Sequence, residues 1–395
     1  MRRLAILFTI LGMALGLGAT GADSLAGAFS GPLKWRVGVE ASGGFVPRTN
    51  SYLKGTNPIN KTISGVFSGT LRADFNFNPD SRWGRMYDGV YQGVGVDLRT
   101  FFVGDLLGTP GSAYVYQGAP FLHFSDRLSL GYEWKFGAAF GWKHYDENDY
   151  TDNTVVSTSV TAHMALGLKL HYRLSTSWLM SFGAEVTHFS NGNTSWPNGG
   201  VNTISASVGL AYVIDPCRRA PSCLSGKLAA EADRPSWFYD IVAFGAWRKR
   251  AVEINNMPEL CPGKFAVAGL QFAPMRRFNR WFAAGAALDV QWDESAGIEP
   301  YWVDGTYDKN IKFYRPPFGK QINVGMSAHA ELTMPIFSVN AGLGYDFINP
   351  QGNKRFYQSL TLKTFITKRM FLNVGYRLSR FKDPQNLMLG LGVRL

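Results

Sequence analysis

Apolar and polar residues alternate with a period of two along nearly the whole chain beyond its first thirty or so positions. In the clearest stretch Leu128, Leu130, Tyr132, Trp134, Phe136, Ala138, Phe140 and Trp142 share one parity. Ser129, Gly131, Glu133, Lys135, Gly137, Ala139, Gly141 and Lys143 take the other. A second run places Val156, Thr158, Val160, Ala162, Met164, Leu166, Leu168, Leu170 and Tyr172 on one side. Successive side chains of a strand point to opposite faces, so each run is a strand with one apolar and one small or polar face. These strands are long enough to cross a bilayer, and aromatics such as Trp142 and Tyr172 stand near their ends, as interface girdles do. The apolar parity is therefore expected to face lipid, and the other a lumen.

The same pattern predicts eight strands near 34–43, 62–76, 87–101, 113–124, 127–143, 154–173, 177–190 and 202–214. Eight more fall near 236–249, 264–274, 280–293, 321–334, 335–348, 356–367, 369–380 and 386–395. Connections after odd-numbered strands are mostly long (44–61, 144–153, 191–201, 294–320), and those after even-numbered strands are often tight, with 77–86 the exception. Bacterial barrels have short periplasmic turns and long outer loops, which sets the expected orientation. Between the halves, 216–235 is polar and bears proline and cysteine, and it reads as a periplasmic linker. The fold class is all-β: an antiparallel transmembrane barrel of eight strands over 33–215, followed by a second eight-stranded unit over 236–395. The alternative is one barrel of about sixteen strands, whose water-filled lumen would carry more charge. The small lumen residues, with only a few charges (Glu133, Lys135, His163, Lys169, His171, Glu185), favour two narrow, filled units.

Met1-Arg2-Arg3 and the apolar run from Leu4 to about Gly18 read as a signal peptide over 1–22, cut near Ala22. Export and the strand pattern together predict integral placement in the bacterial outer membrane. Aromatic residues at 14%, charged residues at 17% and 44 glycines suit glycine- and aromatic-rich β structure. The net charge of +11 fits an anionic partner such as lipopolysaccharide phosphates; nucleic acid is not expected for an exported chain without a basic cluster. Cys217 and Cys223 bracket a short segment and either pair in an oxidising compartment or stay free, which leaves Cys261 over. No histidine neighbours a cysteine in sequence, so no metal site is read there, and no cofactor is expected.

One strand breaks the alternation's logic. From Trp178 to Val186 the apolar parity holds Trp178, Met180, Phe182, Ala184 and Val186, and His188 and Ser190 continue it. Asn202 sits likewise on the apolar parity of Ile204, Ala206, Val208, Leu210 and Tyr212. Polar groups on a lipid-facing surface are expensive and call for a functional reason. With the predicted orientation all three gather at the extracellular rim, at the depth of the outer leaflet.

The stretch His188-Phe189-Ser190-Asn191, followed by Pro197-Asn198-Gly199-Gly200 and Asn202, resembles the signature of the lipid A 3-O-deacylase (PagL-type) family over about residues 34–214. The resemblance implies an eight-stranded outer-membrane barrel that removes an ester-linked acyl chain from lipid A. It implies Ser190 as nucleophile, His188 as general base and Asn191 in oxyanion stabilisation. Asn202 stands where the family typically has glutamate; an amide oxygen can still orient an imidazole but brings no charge. In the second half Arg380 and Lys382 align with His188 and Ser190, which implies a diverged copy without the catalytic pair. His123-Phe124-Ser125 is a decoy at a tight turn, and His163, His171 and His329 are expected to be interior histidines. The competing function is a non-enzymatic barrel, a channel, adhesin or structural protein with a degenerate site.

Overall fold

The computed structural model describes residues 33–78, 81–146, 152–214, 234–254, 257–302, 311–350, 355–381 and 383–395. The expected signal peptide, Cys217, Cys223, most of the linker and Lys382 lie outside the described residues. Two closed antiparallel barrels of eight strands account for nearly all the regular structure. The sixteen-stranded alternative is thereby excluded.

The first barrel runs β1 (Lys34–Phe45), β2 (Gly65–Asn76), β3 (Tyr91–Thr100), β4 (Gly108–His123), β5 (Leu128–Trp142), β6 (Val160–Arg173), β7 (Trp178–Ser190) and β8 (Val201–Val213). Each strand pairs with its sequence neighbour, and β8 returns to β1 with Val39 opposite Leu210. The second continues with β9 (Ser236–Arg248), a hairpin of β10 (Ala251–Ile254) and β11 (Met257–Leu260), then β12 (Phe265–Arg277) and β13 (Phe282–Asp293). A further hairpin, β14 (Glu299–Trp302) and β15 (Ile311–Tyr314), precedes β16 (Ile322–Thr333), β17 (Phe337–Ile348), β18 (Phe356–Phe365), β19 (Met370–Ser379) and β20 (Asp383–Arg394). β9 closes this barrel by pairing with both β12 and β20. The two hairpins lie in long connections that the alternation had left as loops, because four-residue strands are too short to show a period.

Alternation is realised as predicted. Leu71, Leu98, Leu166 and Val186 are exposed on the outer wall of the first barrel, while Glu40, Glu133 and Lys169 are buried within. A narrow lumen offers those charges no bulk water, so they neutralise one another. Lys169 Nζ lies 2.6 Å from Glu40, Arg72 bonds Glu40 at 2.9 Å and Glu133 at 2.6 Å, and Lys135 reaches Glu185 at 2.7 Å. The second barrel does the same: Lys363 contacts Asp240 at 2.8 Å and Glu331 at 2.6 Å, and Arg394 contacts the same two carboxylates at 2.8 and 2.7 Å. His329 is interior, with its ring nitrogens 2.8 Å from Ser327 Oγ and 2.6 Å from Asn340 Oδ1.

The long-loop end of the first barrel is covered by an apolar cap. Tyr52, Leu53 and Ile63 from the first long connection and Val155 and Val156 from the third pack on Phe101, Trp142 and Phe189 at the strand ends. Asn50 caps the short helix Ser51–Lys54 by accepting the Leu53 N–H at 2.9 Å. The lumen of the first barrel is thus filled by ion pairs and covered at this end by apolar side chains.

Removing one member of a buried ion pair strands its partners. Lys363→Met, which leaves two carboxylates to one arginine, is expected to cost about 3–5 kcal/mol in denaturant unfolding from detergent, with part regained in Lys363→Met/Glu331→Gln. A loss below about 1 kcal/mol would show that water, not Lys363, satisfies the cluster.

Candidate active site

β7 sets the site because its parity is pinned from inside. Phe189, fully buried, points inward against Trp142 at 5.4 Å between ring centroids and His163 at 4.8 Å, with the Arg99 guanidinium 5.1 Å from its ring. Its two neighbours, His188 and Ser190, must then point outward. Glu185 takes the inward parity and is held by Lys135, so it is no partner for His188.

Across the β7–β8 ladder His188 faces Asn202 directly, and the two side chains meet: Nδ1 of the imidazole lies 2.7 Å from Oδ1 of the amide. An amide oxygen can only accept, so Nδ1 carries the proton and Nε2 presents its lone pair. On its other side β7 pairs with β6, with Met164 beside His188 and Ala162 beside Ser190. These small and flexible apolar neighbours leave the outward face at this height to the polar residues. No hydrogen bond joins His188 to Ser190 among the described residues. The two share one face two residues apart.

Ser190 is only 6% exposed, although its parity points to lipid. The connection 191–200 that follows it is tied to the connection before β6. Gly199 N–H and Gly200 N–H donate to the carbonyls of Thr154 and Val155, both at 3.0 Å. Asn191 organises this loop. Its Nδ2 donates to Ser157 Oγ at 2.9 Å and to the Ser195 carbonyl at 3.0 Å, and its Oδ1 accepts the Asn193 N–H at 2.9 Å. Its backbone N–H donates to Asn198 Oδ1 at 3.1 Å. Asn198 Nδ2 is buried and without a hydrogen-bond partner among the described residues. A buried amide donor beside the Ser190–Asn191 peptide is costly unless something accepts from it. In the sequence Asn198 stands out only as part of the Pro197-Asn198-Gly199-Gly200 spacing, which gives no hint of an unpaired donor.

Gly200 has a left-handed φ of +68°, and a Cβ built on it would lie 3.0 Å from His188 Cε1 and 3.1 Å from the Phe189 carbonyl oxygen. The glycine thus gives the imidazole its place. Below the site an outward groove of about 420 Å³ opens between β5 and β8, lined by Tyr132, Leu166, Leu168, Ala184, Val186 and Ile204. Ala184, four residues below His188 on the same face, makes the hollow.

The other singled-out residues are structural. Ser125 Oγ accepts from Leu128 N–H at 3.1 Å within a turn, so the His123-Phe124-Ser125 decoy shapes that turn. Cys261 is a free, buried thiol, and burial pushes its pKa up, away from a reactive thiolate. In the second barrel Arg380 and Phe381 form a left-handed turn after β19, where the first barrel has its motif. No group of His, Cys, Asp and Glu suited to holding a metal occurs among the described residues.

Residues 67–211 match the family described as "Lipid A 3-O-deacylase (PagL)", and residues 237–395 match "Acyloxyacyl hydrolase, C-terminal domain". The resemblance read from the His-x-Ser-Asn motif is thus matched by a family model across most of the first barrel, and the second barrel has a family model of its own. No curated protein matches the chain. Similar solved structures include the siderophore receptor PirA from Acinetobacter baumannii, 7% identical over 88% of this chain and 68% of that one, with a TM-score of 0.22. The Ralstonia pickettii toluene transporter TbuX is 8% identical over 92% of this chain and 87% of that one, with a TM-score of 0.18.

Gly200→Ala adds a methyl against the His188 ring at a backbone position that resists side chains. If His188 acts on substrate, hydrolase activity is expected to fall roughly 10²-fold with the barrel intact, since misplacing a reacting group by about 1 Å has that effect. Unchanged turnover in the folded variant would remove Gly200 from the positioning of His188.

Proposed function

We propose that this chain, matched in its first barrel by the lipid A 3-O-deacylase family and in its second by an acyloxyacyl hydrolase C-terminal domain, is an outer-membrane serine esterase that removes an ester-linked acyl chain from lipid A. The single observation that carries the reading is the His188–Asn202 hydrogen bond on the lipid-facing wall, one step along the face from Ser190. An oriented imidazole beside a hydroxyl is the minimum for activating a serine. The filled lumens speak against the channel alternative.

In this reading Ser190 Oγ attacks the ester carbonyl carbon while Nε2 of His188 takes its proton. Asn202 holds Nδ1–H and keeps the ring in the tautomer that can accept. The tetrahedral oxyanion forms beside the Ser190–Asn191 peptide, where the unpaired Asn198 Nδ2 is the natural donor. Asn191 contributes by folding the loop that presents Asn198. Collapse expels the glucosamine oxygen as an alcohol, with the proton returned by His188. Water, activated by the same nitrogen, then releases the fatty acid from Ser190. The apolar groove under His188 takes the acyl chain, with Ala184 as its floor. Integral placement at the outer leaflet follows, because His188 and Ser190 take the lipid-facing parity near the long-loop end.

Mass spectrometry of lipid A incubated with the refolded protein is expected to show loss of one acyl chain, absent with Ser190→Ala. Retained cleavage in folded Ser190→Ala would dismiss the nucleophile, and no cleavage of varied lipid A by the folded wild type would favour the non-enzymatic reading. Asn202→Glu, which adds a negative charge behind the imidazolium, is expected to raise kcat by about tenfold or more, and Asn202→Leu to lower it by about 10²–10⁴. A rate unmoved by either variant would leave Asn202 a bystander. Ala184→Phe fills the groove and is expected to reduce cleavage of long chains about tenfold relative to short ones. Equal loss at every length would place the acyl chain elsewhere.

A further inference from the structure

The second barrel carries no nucleophile at the place where the first has one, yet its short-turn end is chemically distinctive. Arg234 precedes β9, Arg276 and Arg277 end β12, Arg280 lies in the following turn, and Lys368 and Arg369 form the turn between β18 and β19. No Asp or Glu occurs in 235–237, 276–281, 334–336, 366–369 or 394–395, whereas Asp233 adjoins Arg234, which is therefore set aside. The first barrel differs: at the same end Arg127 adjoins Asp126, and Asp88 follows Arg85 by three residues.

Arg276, Arg277, Lys368 and Arg369 occupy one arc. Ser236 pairs with Arg277 and Trp237 with Arg276, while Arg394 N–H donates to the Arg369 carbonyl at 2.7 Å, which brings the β18–β19 turn against β20 and so beside β9. The turn on the far side, Met334-Pro335-Ile336, has no charge. Arg276, Lys368 and Arg369 are exposed, and none of them pairs with a carboxylate among the described residues. Asp240 and Glu331, buried in the lumen, are already committed to Lys363 and Arg394.

An aromatic belt fixes the depth of this arc. Trp237 and Tyr239 are exposed on the wall, Tyr239 stacks on Phe272 at 6.2 Å, and Phe278 stacks on Phe282 at 5.9 Å. The Arg276 guanidinium lies 5.6 Å from the Phe278 ring. Aromatic girdles mark the hydrocarbon–headgroup boundary, so cations at or just beyond them stand at phosphate level. Short turns place this end at the periplasmic leaflet.

We propose that the arc formed by Arg276, Arg277, Lys368 and Arg369 binds the phosphodiester headgroups of anionic phospholipids in the inner leaflet. Guanidinium groups match phosphate oxygens in geometry as well as charge, and several cations with no acid among them raise the local concentration of anionic lipid. The second barrel thereby acts as a lipid-anchored unit. The inference rests on the membrane-spanning reading above, which the heat-dependent gel shift of a folded barrel tests separately.

The test uses the full chain refolded in neutral detergent, with phosphatidylglycerol or phosphatidylethanolamine added and retained lipid counted by native mass spectrometry. Folding of every variant is certified by the gel shift. The wild type is expected to retain phosphatidylglycerol over phosphatidylethanolamine by roughly tenfold or more. Arg276→Gln/Lys368→Gln/Arg369→Gln is expected to lose that preference, and Lys34→Gln/Arg127→Gln/Arg173→Gln, at the same end of the first barrel, to keep it. Equal retention of the two lipids, or a preference that survives the first triple variant, would overturn the proposal. Displacement of the lipid by millimolar inorganic phosphate would also overturn it, since the arc would then be a site for free phosphate.

Discussion

A backbone N–H in hydrocarbon has no partner except another peptide, and this constraint governs the molecule. It closes each set of eight strands into a barrel with no open edge, and it gives every strand residue one of two destinations: lipid or lumen. The outer wall then has to be apolar, as Leu71, Leu98, Leu166 and Val186 make it. The lumen has to settle its charges internally, as Lys169 and Glu40 do across 129 residues of sequence. On such a wall the imidazole of His188, the hydroxyl of Ser190 and the amide of Asn202 take the parity that is otherwise apolar. They are where the fold departs from its own rule.

The departure is held in place by parts that obey the rule. Phe189 is locked between Trp142, His163 and the Arg99 guanidinium, and by strand geometry its inward lock turns His188 and Ser190 outward. The apolar cap that buries Phe189 also brings the connection before β6 within reach of the loop after β7. Asn191 and Gly200 knit the two together. Stability of the cap and placement of the site are thus one structural fact, and Gly200 is where they meet most tightly.

Much of this was legible in the residues. Alternation gave both sets of eight strands within a few positions, the facing of His188, Ser190 and Asn202, and the interior fate of His163 and His329. The lumen parity of Glu185 was legible in the same way, and the structure has it paired with Lys135. What alternation cannot carry is pairing between distant segments. The tie between the connections after β7 and before β6 depends on hydrogen bonds such as Asn191 to Ser157, 34 residues apart, and these belong to loops without a period. For the same reason the unpaired amide of Asn198 is not legible from the motif, which points to Asn191 for the oxyanion. The basic arc on the second barrel was equally hidden, because its residues come from turns far apart in sequence and become neighbours only when β9 joins β20 to β12.

The central claim is that Ser190 is an activated nucleophile on the lipid-facing wall. The direct measurement is peptide mapping after the folded protein meets a long-chain fluorophosphonate, a probe that phosphonylates serines with an oriented base and carries an acyl-like tail. The account predicts a single adduct on the peptide bearing Ser190, lost in His188→Ala. Adducts spread over several serines, or an adduct on Ser190 that is indifferent to His188, would contradict it.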